Sequence, residues 1–551
     1  MSGRCYTGIP ARHAGAGYDP LVRQRNETGV WWASPTAGAV VSFVPTVLAI
    51  FVVIHELTLH DALGGVTFPW AGTNFASSLQ LSNGQLPYNT FPTSFPLTQP
   101  PGMSILLLPF AWAAHGGDSA GAMAAARIFT ALVAIFNVFL VGITARKHGV
   151  ASSFVAGTLF ALFPYAFFAT ASYTLEVYLI FFCLLSFNTA FSQGFMVTRG
   201  RLWTAGVLMG FAIAIKPWAV IPAAALLICA AVNWRVALPR LAGGLALGFV
   251  VPCIFFFVAS PSAFISDVIG AELNTGGGPA SSPGGSRLAQ VLGIGPALDF
   301  KTAGSLPGFL AVVIAVLVVI AALAKASGST PQDWVVLGSA LGLTGIAFLP
   351  STLPAGYTYF LAGFGAILLG NTVGKLISIL STVSVGTGDT TSTVAGGLTL
   401  ILVGAMLAVM AICVPKEATY ERSYFLQHGN NMSKFLGKVV PAGACVTSND
   451  PEELVLAGRM AQLPSGCPNF PDPAGIVQAA GSGTAASSPT VVDAWERLFG
   501  GSQYFVEAPR GTTIPWSPAL RAYFAKTFVP VSSEDGYDVY LSRTPTSLGT
   551  G

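Results

Sequence analysis

Long apolar runs separated by short polar breaks fill the first 414 residues, and a membrane span needs about 20 predominantly apolar residues. On that basis spans are expected at 37 to 59, 120 to 145, 150 to 170, 174 to 192, 202 to 216, 217 to 233, 241 to 259, 306 to 325, 332 to 350, 355 to 371 and 393 to 414. The run RLWTAGVLMGFAIAIKPWAVIPAAALLICAAVN is read as two short helices broken at Lys216-Pro217, because proline disfavours helix at the residue before it. One continuous helix would also put Arg199 and Arg201 on the opposite face of the membrane from Arg235 and Arg240, against the positive-inside rule. From 415 onward the pattern changes. VVPAGACVTSND, SQYFVEA and YDVYLSR read as strands, and EELVLAGRMA, TVVDAWERLF and PALRAYFAKTF as short helices, the mixture of a small α/β domain. The fold class expected is therefore mainly α: a polytopic transmembrane helical bundle of about eleven spans with a small C-terminal α/β domain. The divisions are a tail over 1–36, a membrane domain over 37–414 with a large first loop at 60–119, and the C-terminal domain over 415–551.

Composition agrees. The chain is 53% hydrophobic and 9% charged, where a soluble domain carries about 25% charged residues. The formal net charge of +3 and the lack of a basic run interleaved with aromatics exclude nucleic acid as a partner. The polar N-terminal tail lacks the charged-then-apolar order of a cleavable signal, so the first span is expected to stay as an anchor. Twelve cations (Arg4, Arg12, Arg23, Arg25, Arg146, Lys147, Arg199, Arg201, Arg235, Arg240, Lys325, Lys375) fall on one side of these spans and four (Arg127, Lys216, Arg287, Lys301) on the other. The positive-inside rule then places the N-terminus in the cytoplasm and the C-terminal domain outside a plasma membrane. Cys445 and Cys467 stand alone in the polar tail, on the oxidising side, and are expected to form a disulfide. They have neither the CxxC spacing nor the histidine partners of a zinc site.

The first loop, HDALGGVTFPWAGTNFASSLQLSNGQLPYNTFPTSFPLTQPPGM, holds no Lys or Arg and is dense in aromatics, prolines and hydrogen-bonding side chains. Its centre, GQLPYNTFPTSFPLTQPPGMSILLLP, presents Gly84, Pro87, Tyr88, Pro100 and Pro101 in order before an apolar run. It resembles the first external loop of GT-C glycosyltransferases, which use a polyprenyl-phosphate sugar as donor. The run PAGACVTSNDPEELVLAGRMAQLPSGCP with IPWSPALRAYFAKTFVPV resembles the C-terminal external region of actinobacterial membrane glycosyltransferases.

The resemblance implies transfer of a sugar, mannose or arabinofuranose, from a polyprenyl-monophosphate donor to an external cell-wall glycan, glycolipid or protein acceptor. Inverting transfer needs a carboxylate base, groups that hold the leaving phosphate, and a dry slot for the lipid. The family's base sits about eighteen residues before the Pro-Tyr tyrosine, which here falls at Trp70, not an acid. Asp61 is then the nearest first-loop candidate, with Glu56 deeper in the span as the alternative. Glu176 resembles the family's second acid and equally suits a helix N-terminus. Asp118, Asp267 and Glu272 are the other acids on this side. Arg127 and Lys216 are placed to meet the donor phosphate, or else to snorkel to lipid head groups. Tyr88, Gln99 and Tyr359 complete the substrate-binding candidates. Tyr357 and Tyr359 sit in a late aromatic motif where relatives often have His-Tyr; Thr358 replaces that histidine.

No metal site is assigned. His55 and His60 in HELTLH are five apart rather than the four of a zinc helix, so a divalent metal fits the reaction class without support from any cluster. ELNTGGGPASSPGGSRL lacks the Lys-Ser/Thr ending of a phosphate loop and reads as a lid or a connector. Two rival functions stand beside the transferase: a transporter or flippase, which broken helices and membrane acids would suit, and a non-catalytic glycan-binding scaffold.

Overall fold

The computed structural model describes residues 35–59, 69–88, 97–166, 174–197, 200–270, 329–348, 355–383, 432–461, most of 463–508, and 514–543, with isolated positions between them. Among these, the stretches Ser119–His148, Ala237–Ala259 and Gly356–Ile377 are long and apolar enough to cross a membrane. Shorter apolar helices pack around them. Phe51, Leu132, Val232, Phe255 and Val258 are exposed on the bundle's outside, which is the surface lipid would cover.

The bundle begins with α1 (Pro35–Val41) and α2 (Phe43–Leu59). Within the described part of the first loop lie two helices, α3 (Pro69–Ser82) and α4 (Gly102–Ala114). The long α5 (Ser119–Ala145) follows, capped by Asp118, whose carboxylate accepts from the Gly121 amide at 2.8 Å. Asp118 is thus accounted for as a helix cap. Next come α6 (Val150–Ala161) and α7 (Leu175–Ala190), a short hairpin of β1 (Phe191–Ser192) and β2 (Phe195–Met196), α8 (Gly200–Ile215), α9 (Val220–Ala231) and α10 (Ala237–Ala259). Then α11 (Pro331–Ile346) and α12 (Ala355–Val383) close the described part of the bundle.

Small residues set the tightest contact. Gly206 and Gly210 of α8 face Gly244 and Gly248 of α10, and a Cβ on any of the four would collide with backbone of the other helix. Such small-xxx-small pairs let helix backbones approach where no hydrophobic force drives association.

The bundle has two chemically distinct ends. At one, Asp333 in the first turn of α11 gathers Lys147 at 2.9 Å, His148 at 3.0 Å and Lys375 at 3.1 Å, with Asn371 donating at 3.0 Å. Arg201 lies at the same end, donating to the Asn188 carbonyl at 3.0 Å beside Thr144. At the other end lie Arg127 and Lys216. Arg127 and Lys147 are separated by twenty residues of one helix, about 30 Å of rise, roughly the thickness of a bilayer's hydrocarbon core.

Beyond the bundle, α13 (Met432–Val439) leads into a four-stranded sheet of order β3-β4-β6-β5. Strands β3 (Val446–Ser448) and β4 (Tyr504–Glu507) pair in parallel, while β6 (Tyr537–Ser542) runs antiparallel to β4 and to β5 (Phe528–Glu534). Helices α14 (Pro451–Leu456), α15 (Pro489–Gly501) and α16 (Pro518–Thr527) join the strands. Buried Trp495, Phe499 and Phe505 form its core, with Phe524 and Phe528 against them. Cys445 and Cys467 are bonded. Strand β5, which follows the expected helix PALRAYFAKTF and to which the sequence pattern assigns no element, carries a register shift between Pro530 and Ser532; a proline lacks the amide a central strand needs.

Adjacent glutamates rivet this region to the bundle. Glu452 of α14 meets Arg127 of α5 at 2.7 Å with both side chains fully buried. Glu453 turns the other way and accepts from the Tyr537 phenol at 2.9 Å. Gly72 of α3 is the third contact: any side chain there would strike the backbone of Glu452.

Candidate active site

Lys216 is where the sequence breaks a helix, and the break creates the site. α8 stops at Ile215, Lys216 is extended with φ −154° and ψ 134°, and a 3₁₀ turn over Pro217–Ala219 restarts the chain. The Lys216 ammonium sits 2.7 Å from Oε1 of Glu176, in the first turn of α7, and both side chains are buried. Its Nζ lies 3.4 Å from the centroid of the Tyr357 ring and 5.2 Å from that of Trp218. The two rings meet edge-on at 4.7 Å. Removing an ion pair from water is costly even when its geometry is good; a cation held by one carboxylate and two ring faces is therefore an expensive arrangement for a merely structural strut. Chemically, it is a fixed positive charge able to meet an anionic leaving group.

The end of the first-loop motif packs on the end of α8, next to this pair. Gly84 takes φ +74°, a left-handed conformation that glycine adopts without strain, and its amide bonds to the Leu81 carbonyl to end α3. The chain then leaves at Pro87 and returns at Leu97, whose amide donates to the Pro87 carbonyl at 3.0 Å. Pro101 opens α4, with the Ile105 amide donating to its carbonyl. Gly102 presses on the end of α8: a Cβ there would stand 2.6 Å from the Ala214 carbonyl, two residues before Lys216. The glycine and prolines of the motif thus have separate backbone duties, and together they bring the loop to the helix break.

Tyr88 is buried, and its phenol donates to the backbone carbonyl of Gln99. Its ring stands edge-on to Phe264 at 5.1 Å and to Phe256 at 5.6 Å. Burial, followed by neighbouring Cys253 and Asp267, raises the phenol well above its ordinary value, so Tyr88 acts as a donor. Thr98 is held from the C-terminal region, its hydroxyl donating to Asp472 Oδ2 at 2.6 Å.

The other candidates are dispersed. Arg127 is committed to Glu452. Tyr359, two residues from Tyr357 on α12, points away from Lys216; its ring packs 4.8 Å from Phe160 and lines an apolar cavity with Ala49, Val53, Ala134 and Val138. Asp61, His60, Glu272 and the side chains of His55 and Glu56 lie outside the described residues, as does the glycine-rich segment over 271–286. Among the described residues no group of three or more His, Cys, Asp or Glu is placed to hold a metal.

Two contributors, Trp218 and Asp472, were not singled out by sequence reasoning. Trp218 frames Lys216 together with Tyr357 of the late aromatic motif; the cue for Trp218 was its nearness in sequence to a buried lysine. Asp472 carries no local signal, because its partner is Thr98, 374 residues earlier.

The bundle, the first-loop helices and the C-terminal sheet together have the GT-C fold. ArnT from Cupriavidus metallidurans, in a crystal structure bound to undecaprenyl phosphate, is similar with a TM-score of 0.56 and 14% identity over 92% of this chain and 99% of that one. An Archaeoglobus fulgidus oligosaccharyltransferase, tethered through a disulfide to an acceptor peptide, has a TM-score of 0.51 and 12% identity over 92% of this chain and 74% of the other. At such identities the likeness is one of fold. No protein-family model matches the sequence, and no curated protein matches it significantly.

Proposed function

We propose that the chain is a multi-pass plasma-membrane glycosyltransferase, moving a mannosyl or arabinofuranosyl group from a polyprenyl-monophosphate donor to a cell-wall glycan, glycolipid or protein acceptor. The observation that carries this is the buried Lys216–Glu176 pair, framed by Tyr357 and abutted by the Pro100-Pro101-Gly102 segment, at one end of a GT-C fold. ArnT's complex with a polyprenyl phosphate supports a lipid phosphate as the anion that this cation meets.

In this reading Lys216 stabilises the negative charge that develops on the departing phosphate, where preorganised charge is worth most. Glu176 fixes the lysine and keeps it compensated when the site is empty. Asp61 takes the proton of the attacking hydroxyl, and Tyr88 and Gln99 shape the sugar side. Arg127, bound to Glu452, supports the site by holding α5 to the C-terminal region, and the apolar cavity beside Tyr359 offers a dry surface to isoprenoid carbons. The N-terminus is cytoplasmic and the C-terminal region extracytoplasmic.

The test is transfer of radiolabelled sugar from polyprenyl-phosphate mannose and polyprenyl-phosphate arabinofuranose in membranes. A general base contributes about 10²- to 10⁴-fold, so Asp61→Asn should lower transfer by that factor with donor binding retained. Full activity in Asp61→Asn removes it as the base. Wild-type protein that moves neither sugar, but exchanges lipid-linked sugar between leaflets of a vesicle, would establish the flippase reading instead.

A further inference from the structure

Beside the motif tyrosine is a carboxyl group that the reading above does not use. Asp267 lies on a π-helical turn, Ile265–Gly270, just after α10, and such turns in chains are frequent at functional sites. The side chain is 93% buried by its 7% exposure, and its Oδ2 has no hydrogen-bond partner among the described residues. The flanking residues Phe264 and Val268 pack into the cluster that contains Tyr88, Leu97, Ala214 and Phe256. Gln99, whose backbone Tyr88 touches, carries a second orphan: its buried side-chain oxygen has no partner among the described residues. The Gln99 backbone carbonyl, by contrast, is already taken by the Tyr88 phenol.

A buried polar atom with no partner costs roughly 1–3 kcal/mol, more when charged, and two such atoms on residues that neighbour a motif tyrosine call for an occupant. We infer that Asp267 and Gln99 form a hydroxyl-binding subsite beside Tyr88, in which the two acceptor oxygens take hydrogen bonds from the hydroxyl groups of a sugar. The chemistry excludes the alternatives. A phosphate would be repelled by the carboxylate, which separates this subsite from the Lys216 position. A divalent cation would find one carboxylate and one amide oxygen, too few hard ligands. A hydroxyl both gives and accepts a proton, so it satisfies Asp267 in either ionisation state; burial pushes that carboxyl up to about 7, where both states are populated near neutrality. The rings of Tyr88, Phe256 and Phe264 supply the apolar wall that, with a few converging polar groups, is typical of small-ligand sites.

The inference rests on the glycosyltransferase reading for the identity of the sugar, and the test separates the two. Full-length wild type, Asp267→Leu, Asp267→Asn and Gln99→Met would be reconstituted in nanodiscs. Binding would be measured by native mass spectrometry for polyprenyl phosphate, polyprenyl-phosphate mannose, and octyl mannoside as an acceptor probe. Losing a hydrogen bond to a charged group corresponds to about tenfold or more in affinity. Asp267→Leu should therefore weaken sugar-bearing ligands by about that factor, Asp267→Asn by less because an acceptor oxygen remains, and none should change binding of bare polyprenyl phosphate. Loss confined to the lipid-linked sugar assigns the subsite to the donor; loss confined to octyl mannoside assigns it to the acceptor. Because Asp267 Oδ2 has no partner to lose among the described residues, Asp267→Leu should also melt no lower than wild type, an outcome that a structural role would reverse. Unchanged sugar binding in Asp267→Leu, as expected if water alone fills the site, overturns the subsite, and so does equal weakening of bare polyprenyl phosphate. Wild type that binds octyl mannoside but no polyprenyl lipid sinks the transferase reading while leaving the subsite to be judged on the octyl mannoside arm.

Discussion

At the scale of single residues, the buried Lys216–Glu176 pair makes a prediction that separates stability from chemistry. Breaking a buried pair by removing one partner costs about 3–5 kcal/mol, whereas replacing both with neutral groups of similar size is often tolerated. Lys216→Met and Glu176→Gln should each lower the melting temperature of the purified protein, and the double variant should recover most of that loss. Transfer should not recover, because the phosphate would still lack its cation. A double variant that regains both melting temperature and transfer would make the pair a strut. Sequence reasoning named both members of this pair, Lys216 as a cation at the end of a span and Glu176 from its resemblance to a second acid of GT-C enzymes, a position that equally suits a helix N-terminus. It did not join them, because 40 residues of intervening chain hide which helix ends meet. Arg127 shows the same limit: its cation was legible, but its partner Glu452 lies 325 residues away and nothing local announces it.

Among elements, the contact between α8 and α10 positions the site indirectly, since α8 ends at Lys216 and rests on α10 through glycines. Gly210→Leu forces the two backbones apart; overpacking of this kind typically costs about 1–3 kcal/mol. The expected readout is a drop in melting temperature together with a loss of transfer larger than that from a lipid-facing change such as Val251→Ala. The disulfide is an element-scale device of a different kind, closing a loop with a sequence separation of 22. Cys445→Ser should cost the C-terminal region about 3 kcal/mol at most by the chain-entropy argument, seen as a lower thermal midpoint or earlier proteolysis of that region under non-reducing conditions. Most helices and the strands β3, β4 and β6 were legible because hydrophobic runs, prolines and glycines act locally, whereas β1, β2 and β5 were not. The helical content of the first loop was not: α3, PWAGTNFASSLQLS, is rich in small and polar residues, and its helix is fixed by packing against α4 and α14 rather than by its own pattern.

Over the whole molecule, charge is distributed between the two ends of the bundle, with the Asp333 cluster far from Lys216. Asp333 joins the end of α5, the start of α11 and the last third of α12. Asp333→Asn leaves two lysines and a histidine side by side without their carboxylate. It should therefore destabilise the protein by about 3 kcal/mol or more while leaving the affinity for a polyprenyl lipid at the opposite end unchanged in whatever fraction remains folded. A fall in lipid affinity matching the fall in stability would instead mean that the two ends are coupled.

The paired glutamates of α14 have a consequence for engineering by exchange. Glu452 reaches into the helices and Glu453 into the sheet, and Asp472 holds the loop residue Thr98. The contact between the bundle and the C-terminal region is thus written in two distant stretches of chain that must agree at three points. A chimera that imports the C-terminal region of another protein of this fold inherits a mismatch at Gly72, Thr98 and Arg127 unless those positions travel with the graft.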